Sequence, residues 1–460
     1  MQRILGSALR FLIVVIFSGF CFKATQAHAA GTTSVSKTKK AALADAIIDT
    51  EASPPLRQKV TPRFSWGSKL NVATRLRNNR DLRDGKEDRD NRTKGSLSIA
   101  GLYLSAARMM QPKWEVFSEI KVQREVSQKE GEGRTKDETE FSFRKGYIIV
   151  RRFLDPSMRL QVGRQKFKDF REWVYDENMD AVRLFYEKDR LELQLSYSTN
   201  LFDPEDPEDE IKNLILYGIY RVWAKDKVAA YVVNRRGDDS DLGPDSTHVS
   251  LTFVGVSLKG KSINKQKYWL EAATVFGGEA GKKVRGYGFD IGWTTRFRHP
   301  LKPAFSVGYA FGSGDSNPDD NRDKSFRQTG LQDNSAKLRG KIKVEQYGEI
   351  FEPELSNLMV GTLGFGIRLA DNQGSLDIVY HRFRQVWALQ ERDNELRDVG
   401  VKPDPNGDSR DLGDEIDLAF RWKVSSELNL NVITGVFLPG SAFSEKDDAF
   451  LAKIAMQFLL

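Results

Sequence analysis

Beyond residue 64 the chain alternates apolar and polar residues, in segments of about ten residues divided by turn residues. A period of two places successive side chains on opposite faces of an extended strand. In 114–122, Trp114, Val116, Ile120 and Val122 alternate with Glu115, Glu119 and Lys121. In 285–298, Tyr287, Phe289, Ile291 and Trp293 alternate with Gly288, Asp290, Gly292 and Thr294. In 415–423, Ile416, Leu418, Phe420 and Trp422 alternate with Glu415, Asp417, Arg421 and Lys423. Marking every such segment predicts 18 strands, starting near residues 65, 95, 112, 139, 157, 179, 189, 211, 226, 246, 265, 284, 302, 356, 374, 412, 426 and 448.

The connections say more than the count. Every second one is short: near 110–111, 154–156, 188, 225–226, 259–264, 299–301, 371–373 and 425. The others are longer and polar, notably 78–94, 202–210, 237–245, 313–355 and 386–411. Tight turns on one side and loops on the other describe a transmembrane antiparallel β-barrel, with short periplasmic turns and long extracellular loops. Hydrocarbon offers no partner to an unpaired backbone group, so only helices and closed barrels span it. No stretch after residue 29 has the roughly 20 apolar residues a spanning helix needs. An even strand number leaves both ends in the periplasm, and the final segment, from Phe450 through Ile454 and Phe458 to Leu460, alternates to the last residue. The alternative that the alternation leaves open is a soluble array of β-sandwiches.

Residues 1–29 have the layout of a cleavable secretory signal: Arg3 and Arg10, an apolar core over 11–22, and Ala27-His28-Ala29. Residues 30–62 are small, polar and basic, as in a flexible periplasmic leader, and 63–460 form the barrel. The whole chain carries 71 Lys and Arg against 64 Asp and Glu, a net +7; without 1–29 it has 68 against 64, a net +4. The balance hints at an anionic partner and excludes little. The one cysteine, Cys21, lies in the signal, so the exported chain has no disulfide to rely on.

Residues opposite the apolar stripe would line the lumen, which is aqueous in a barrel of this size. By parity these include Arg144, Arg159, Arg183, Asp290, Asp417 and Arg421. The stretch 163–183 stands out. It sets Arg164, Arg171, Asp176, Asn178 and Arg183 between two alternating segments, too dense a polar set for an ordinary turn. It is either a solvated surface loop or, over 167–178, a loop folded into the lumen; the long connection 313–355 is the second segment expected to fold inward. Arg164 shares the parity of Val162, so it faces inward only where a bulge intervenes. A few arginines in a narrow protein-walled pore concentrate a polyanion, and their planar forks suit carboxylates.

The block G-R-Q…R-E-W-x-Y-D-x-N-x-D-A-V-R at 163–183 resembles the alginate export family of outer-membrane barrels. So do Gly312-Ser313-Gly314-Asp315 and the run 326–334, Tyr347-Gly348-Glu349 with 353–357, and Ser375-Leu376-Asp377 with Tyr380-His381-Arg382. The resemblance implies an outer-membrane channel, not an enzyme, that passes alginate or a similar anionic exopolysaccharide through an electropositive constriction. By motif it makes Arg144, Arg164, Asp176, Asn178 and Arg183 constriction residues, with Arg327 an addition from the long loop. It implies a periplasmic scaffold lipoprotein of an export complex as partner, beside outer-membrane lipid, and neither a cofactor nor nucleic acid. One departure stands out: the family's long periplasmic turn near the C-terminus is here only 424–427, so a plug is expected from extracellular loops.

Two rival functions remain. One is a general or small-anion porin. The other is an outer-membrane hydrolase or lyase using Asp176, Glu177 and Tyr175 as an acid–base group. Neighbouring carboxylates on an extended chain point opposite ways, and neither a G-x-S-x-G nor a metal-spaced histidine pair occurs.

Overall fold

The computed structural model describes residues 53–460 apart from 84–87, 106–113, 130–134, 200–210, 240–246, 264–265, 318, 337–342 and 390–398. The expected signal and most of the leader lie outside the described residues, as do the turn at 110–111, the loop at 202–210 and most of the loop at 237–245.

Eighteen long antiparallel strands close into one barrel. They are β1 Phe64–Asn78, β2 Arg89–Leu104, β3 Trp114–Lys129, β4 Thr135–Arg151, β5 Met158–Lys168 and β6 Asp176–Lys188. Next come β7 Leu191–Thr199, β8 Lys212–Trp223, β9 Asp226–Asp239, β10 Thr247–Gly260, β11 Lys267–Glu279 and β12 Lys282–Arg296. The circuit ends with β13 Ala304–Gly312, β14 Leu358–Leu369, β15 Gly374–Gln385, β16 Asp411–Lys423, β17 Leu428–Pro439 and β18 Ala449–Leu459. Each pairs with the next, and β18 returns to β1 from Lys69↔Leu459 to Asn78↔Phe450, so no edge is left unpaired. Among the described residues there is no α-helix, only a 3₁₀ turn at Ala370–Asn372.

The period-two pattern sets the two faces. Val162, Val182, Leu195, Leu214, Leu216 and Ile454 are exposed on the outside, where lipid covers them. Their chain neighbours, such as Gln161, Ala181, Arg183, Ser196, Ile215 and Lys453, are buried on the inner face. The strand starts lie within a few residues of those the alternation predicts; the largest differences are β2 at Arg89 and β4 at Thr135, both reaching further toward the loop side. Among the described connections, one breaks the alternation of short and long. β11 and β12 join on the loop side through Ala280 and Gly281 alone, both with positive φ (52° and 76°), as a two-residue hairpin turn requires.

The last part of the expected leader is held in place. Gln58–Thr61 pairs with the start of β1. Before it, the Ser53 hydroxyl donates to Glu119 on β3 (2.6 Å) and accepts from Lys145 on β4 (3.0 Å). The folded chain in detergent is expected to show a β-dominated circular dichroism spectrum and a gel mobility that changes on boiling. A single mobility at both temperatures contradicts a closed barrel.

Candidate lumen site

The β5–β6 hairpin leaves the wall partway up. β4 pairs with β5 only as far as Gly146↔Arg164, and β6 pairs with β7 only from Asp180↔Thr199 downward. Above that level, Gln165–Lys168 and Asp176–Met179 pair only with each other. Gly163 marks the departure. Its φ of 121° suits glycine, and a Cβ there would lie 2.2 Å from the Gly146 carbonyl oxygen. Between β3 and β4 the register slips at Glu119 and Ile120, leaving Arg144 on β4 as the extra residue of a bulge.

The hairpin tip, 169–175, is organised around Asp169. This buried carboxylate accepts backbone N–H groups of Arg171, Trp173, Val174 and Tyr175 at 3.0–3.4 Å. Burial raises the Asp169 pKa, and those N–H bonds oppose the rise. The tip reaches the opposite wall. Arg171 donates to Asp290 on β12 (2.8 Å) and to Gln346, and its guanidinium lies 4.3 Å from the Trp269 ring on β11. Asp290 also accepts from Trp269 (2.7 Å) and Tyr347 (3.0 Å), and Tyr347 accepts from Trp173 (3.0 Å). One wall carboxylate therefore fastens both the hairpin tip and the connection 313–357.

That long connection packs on the same tip and on the inner wall. Phe326 stacks on Trp173, Gln328 donates to the Trp173 carbonyl, and Tyr175 bridges to Leu331. Beneath them, Ile215, Tyr217, Tyr231, Val233, Leu251 and Phe253 turn an apolar inner face toward the insertions, an inversion of the polar lining expected of an open porin. Further round, Lys453 on β18 pairs with Glu349 (2.7 Å), Arg77 on β1 with Glu352 (2.6 Å), and Glu415 on β16 accepts the N–H groups of Ile350 and Phe351.

Four of the six expected constriction residues come together on the hairpin. Arg164 pairs with Asp180 (3.1 Å). Asp176 meets Lys166 (3.2 Å), Lys168 (3.4 Å) and Lys343 (3.6 Å), and Asn178 lies opposite Lys166. Arg183 donates to the Lys166 carbonyl (3.0 Å) and to Gln194 (2.6 Å), with its guanidinium 3.9 Å from the Phe167 ring. Arg144 is buried on the inner face at the β4 bulge. Arg327 stays apart, paired with Glu279 at the end of β11 and with Asp323. Asp176 and Glu177 form no acid–base pair: Asp176 is ringed by lysines, while Glu177 is exposed.

Lys343 is the member that the sequence pattern misses. Its ammonium lies 2.7 Å from Glu172, 2.6 Å from Asp333 and 3.6 Å from Asp176. Burial works against its charge, but Asp333, Glu172 and Asp176 outweigh that and raise its pKa well above the ordinary value. These three carboxylates are close enough to hold a cation, and the lysine already fills that place.

The inner face of β1–β4 is different in kind. It carries Lys69, Arg75, Arg77, Lys94, Lys121, Arg144 and Lys145, all buried, against Asp90, Glu115 and Glu119.

A family model described as "Alginate export" matches residues 63–457. The chain is 24% identical over 376 residues to the alginate production protein AlgE of Pseudomonas aeruginosa, covering 68% of this chain and 74% of that one. It is also 24% identical over 379 residues to AlgE of Azotobacter vinelandii, covering 68% and 75%. Among solved structures it is similar to OccK7 (OpdD) of P. aeruginosa, with a TM-score of 0.55, 12% identity and coverage of 87% of this chain and 99% of that one. The outer membrane protein OprD of P. aeruginosa gives a TM-score of 0.53, 12% identity and coverage of 89% and 96%. At these identities the two structures share the fold.

Proposed function

Because this chain belongs to the alginate export family and forms an outer-membrane β-barrel, we propose that it exports an anionic exopolysaccharide, alginate or an alginate-like polyuronate, along the basic sector of its lumen. The observation that carries this function is the division of the inner face. Where the two insertions pack on β8–β10, the lining is mostly apolar. On β1–β4 it is cationic, with Lys69, Lys94, Lys121, Arg144 and Lys145 on neighbouring strands.

The chemistry follows from that division. Two unit charges 4 Å apart attract by about 1 kcal/mol in water and about 4 at an effective dielectric of 20, the regime of a narrow protein-walled path. A strip of lysines and arginines therefore draws a chain of carboxylates inward. Glu119 and Asp90 on the same wall limit the depth of any single well, so the polymer moves on from site to site. Arg144 faces the polymer. Arg164, Asp176, Asn178 and Arg183 set the width of the constriction by holding the hairpin tip across the lumen, and Arg327 fixes the long connection to the wall. A periplasmic scaffold lipoprotein that presents the polymer completes the proposed assembly.

The test is the reversal potential of the purified barrel in a potassium chloride gradient. The triple variant K94Q/K121Q/R144Q is expected to lower the chloride-to-potassium permeability ratio severalfold while conductance and gel mobility stay close to wild type. An unchanged ratio removes the basic sector from the conduction path.

A further inference from the structure

The strand ends on the short-turn side hold a cluster of cations far along the wall from the hairpin. On β14, β15 and β16, Arg368 lies opposite Ser375 and Ser375 lies opposite Arg421. The two arginines thus flank the serine at one level of the sheet, about 10 Å apart across two strand spacings. All three have inner-face parity, shared with Asp377 and Ala419, which are buried. Ser375 is completely buried, and its hydroxyl is without a hydrogen-bond partner. A buried hydroxyl left unsatisfied is costly, and its natural complement beside two guanidiniums is an acceptor of negative charge.

The surroundings reinforce this. Arg421 lies within Coulombic reach of Arg368, and Arg368 of Arg296. Lys267 on β11 is within reach of Arg296, Lys261, Lys259 and Arg368. The carboxylate within reach of Arg368 is Asp377, two residues along β15. Like charges gathered at one mouth repel one another, and a bound anion relieves that repulsion. Arg421 donates to Asn429 at 3.0 Å, which fixes the direction of its side chain. Ser375 and Asp377 belong to the Ser375-Leu376-Asp377 motif, which the constriction does not use.

We propose that Arg368, Ser375 and Arg421 form an anion-binding site at the periplasmic mouth that takes a carboxylate of the incoming polymer, the two guanidiniums supplying charge and the serine hydroxyl donating the orienting hydrogen bond. The site rests on the export function proposed above and adds the place where the polymer is first held. It lies on the side where the short turns put the periplasm, ahead of the packed insertions.

The experiment uses the full barrel in a planar bilayer, with tetragalacturonate, a soluble uronate oligomer, added to one side at a time. Wild type is expected to show transient block when the oligomer is on the short-turn side. In R368Q/R421Q the frequency of block from that side is expected to fall about tenfold, the scale of electrostatic steering, while block from the loop side keeps its frequency. Ser375→Ala is expected to shorten each block about fivefold, the worth of one net hydrogen bond, with frequency unchanged. The exposed Arg298→Gln at the same mouth is the control and leaves both unchanged. Block that persists at wild-type frequency and duration in R368Q/R421Q and Ser375→Ala overturns the site. If wild type is not blocked at all, yet R368Q/R421Q lowers the chloride-to-potassium permeability ratio, the anion site stands and polyuronate export is what fails. If neither block nor that ratio responds to R368Q/R421Q, no anion binds there.

Discussion

Asp290→Ala is expected to open the channel. In the native chain this one carboxylate accepts from Arg171, Trp269 and Tyr347, so it fastens the hairpin tip and the long connection to β12 together. Removing it leaves the Arg171 guanidinium buried without its carboxylate, a loss of about 3–5 kcal/mol for a broken buried pair. A shift of that size moves the balance between seated and released insertions by more than about a hundredfold. The wall should survive, because β12 keeps its full ladders to β11 and β13. The expected readout is a severalfold rise in single-channel conductance with heat-modifiable mobility retained. A folded Asp290→Ala barrel with wild-type conductance shows that the insertions are held elsewhere.

Lys453→Met is expected to be the most destabilising single change on the opposite side of the lumen. Lys453 and Glu349 are both fully buried, 2.7 Å apart, with Glu352 a further 3.6 Å from the ammonium. Removing the lysine alone strands a buried carboxylate, again at about 3–5 kcal/mol. The double variant K453M/E349M replaces the pair with apolar side chains of similar reach, and most of that loss should return. The temperature at which the folded gel band disappears reports both. Equal losses in single and double variants contradict a coupled pair.

The wall was legible in the sequence because lipid enforces it. A strand with one face in hydrocarbon and the other in the lumen has to alternate, and Ile416 to Trp422 do so cleanly, while Trp114 to Val122 do so apart from Phe117 and Ser118. The inner contents were less legible, for physical reasons that particular residues show. Arg171 and Asp290 lie 119 residues apart, and neither position alone announces the other. Lys343 sits in a connection with no period, so nothing local marks it as the counter-ion of Glu172 and Asp333. Arg164 carried a parity conflict, and its cause is now visible: the hairpin leaves the wall at Gly163, after which both faces meet protein and the alternation no longer separates lipid from lumen. Arg144 is the extra residue of a bulge, where parity changes sign. A signal did exist for Lys453. It is a lone cation in the inner-face column Ala449, Leu451, Lys453 and Ala455, and a charge placed there needs a buried partner.

The departure at 424–427 fits this arrangement. That turn is tight, with Val424 and Ser425 donating backbone N–H groups to Leu428, and the mass inside the barrel comes from the other side, through 169–175 and 313–357.

Export of an anionic polysaccharide by this barrel is tested by measuring uronic acid in the culture medium of the native cells with the gene deleted and then restored. Deletion is expected to abolish extracellular polyuronate while uronate accumulates or is degraded in the periplasm, and the full chain is expected to restore secretion. Wild-type levels of extracellular polyuronate in the deletion strain would contradict export through this barrel.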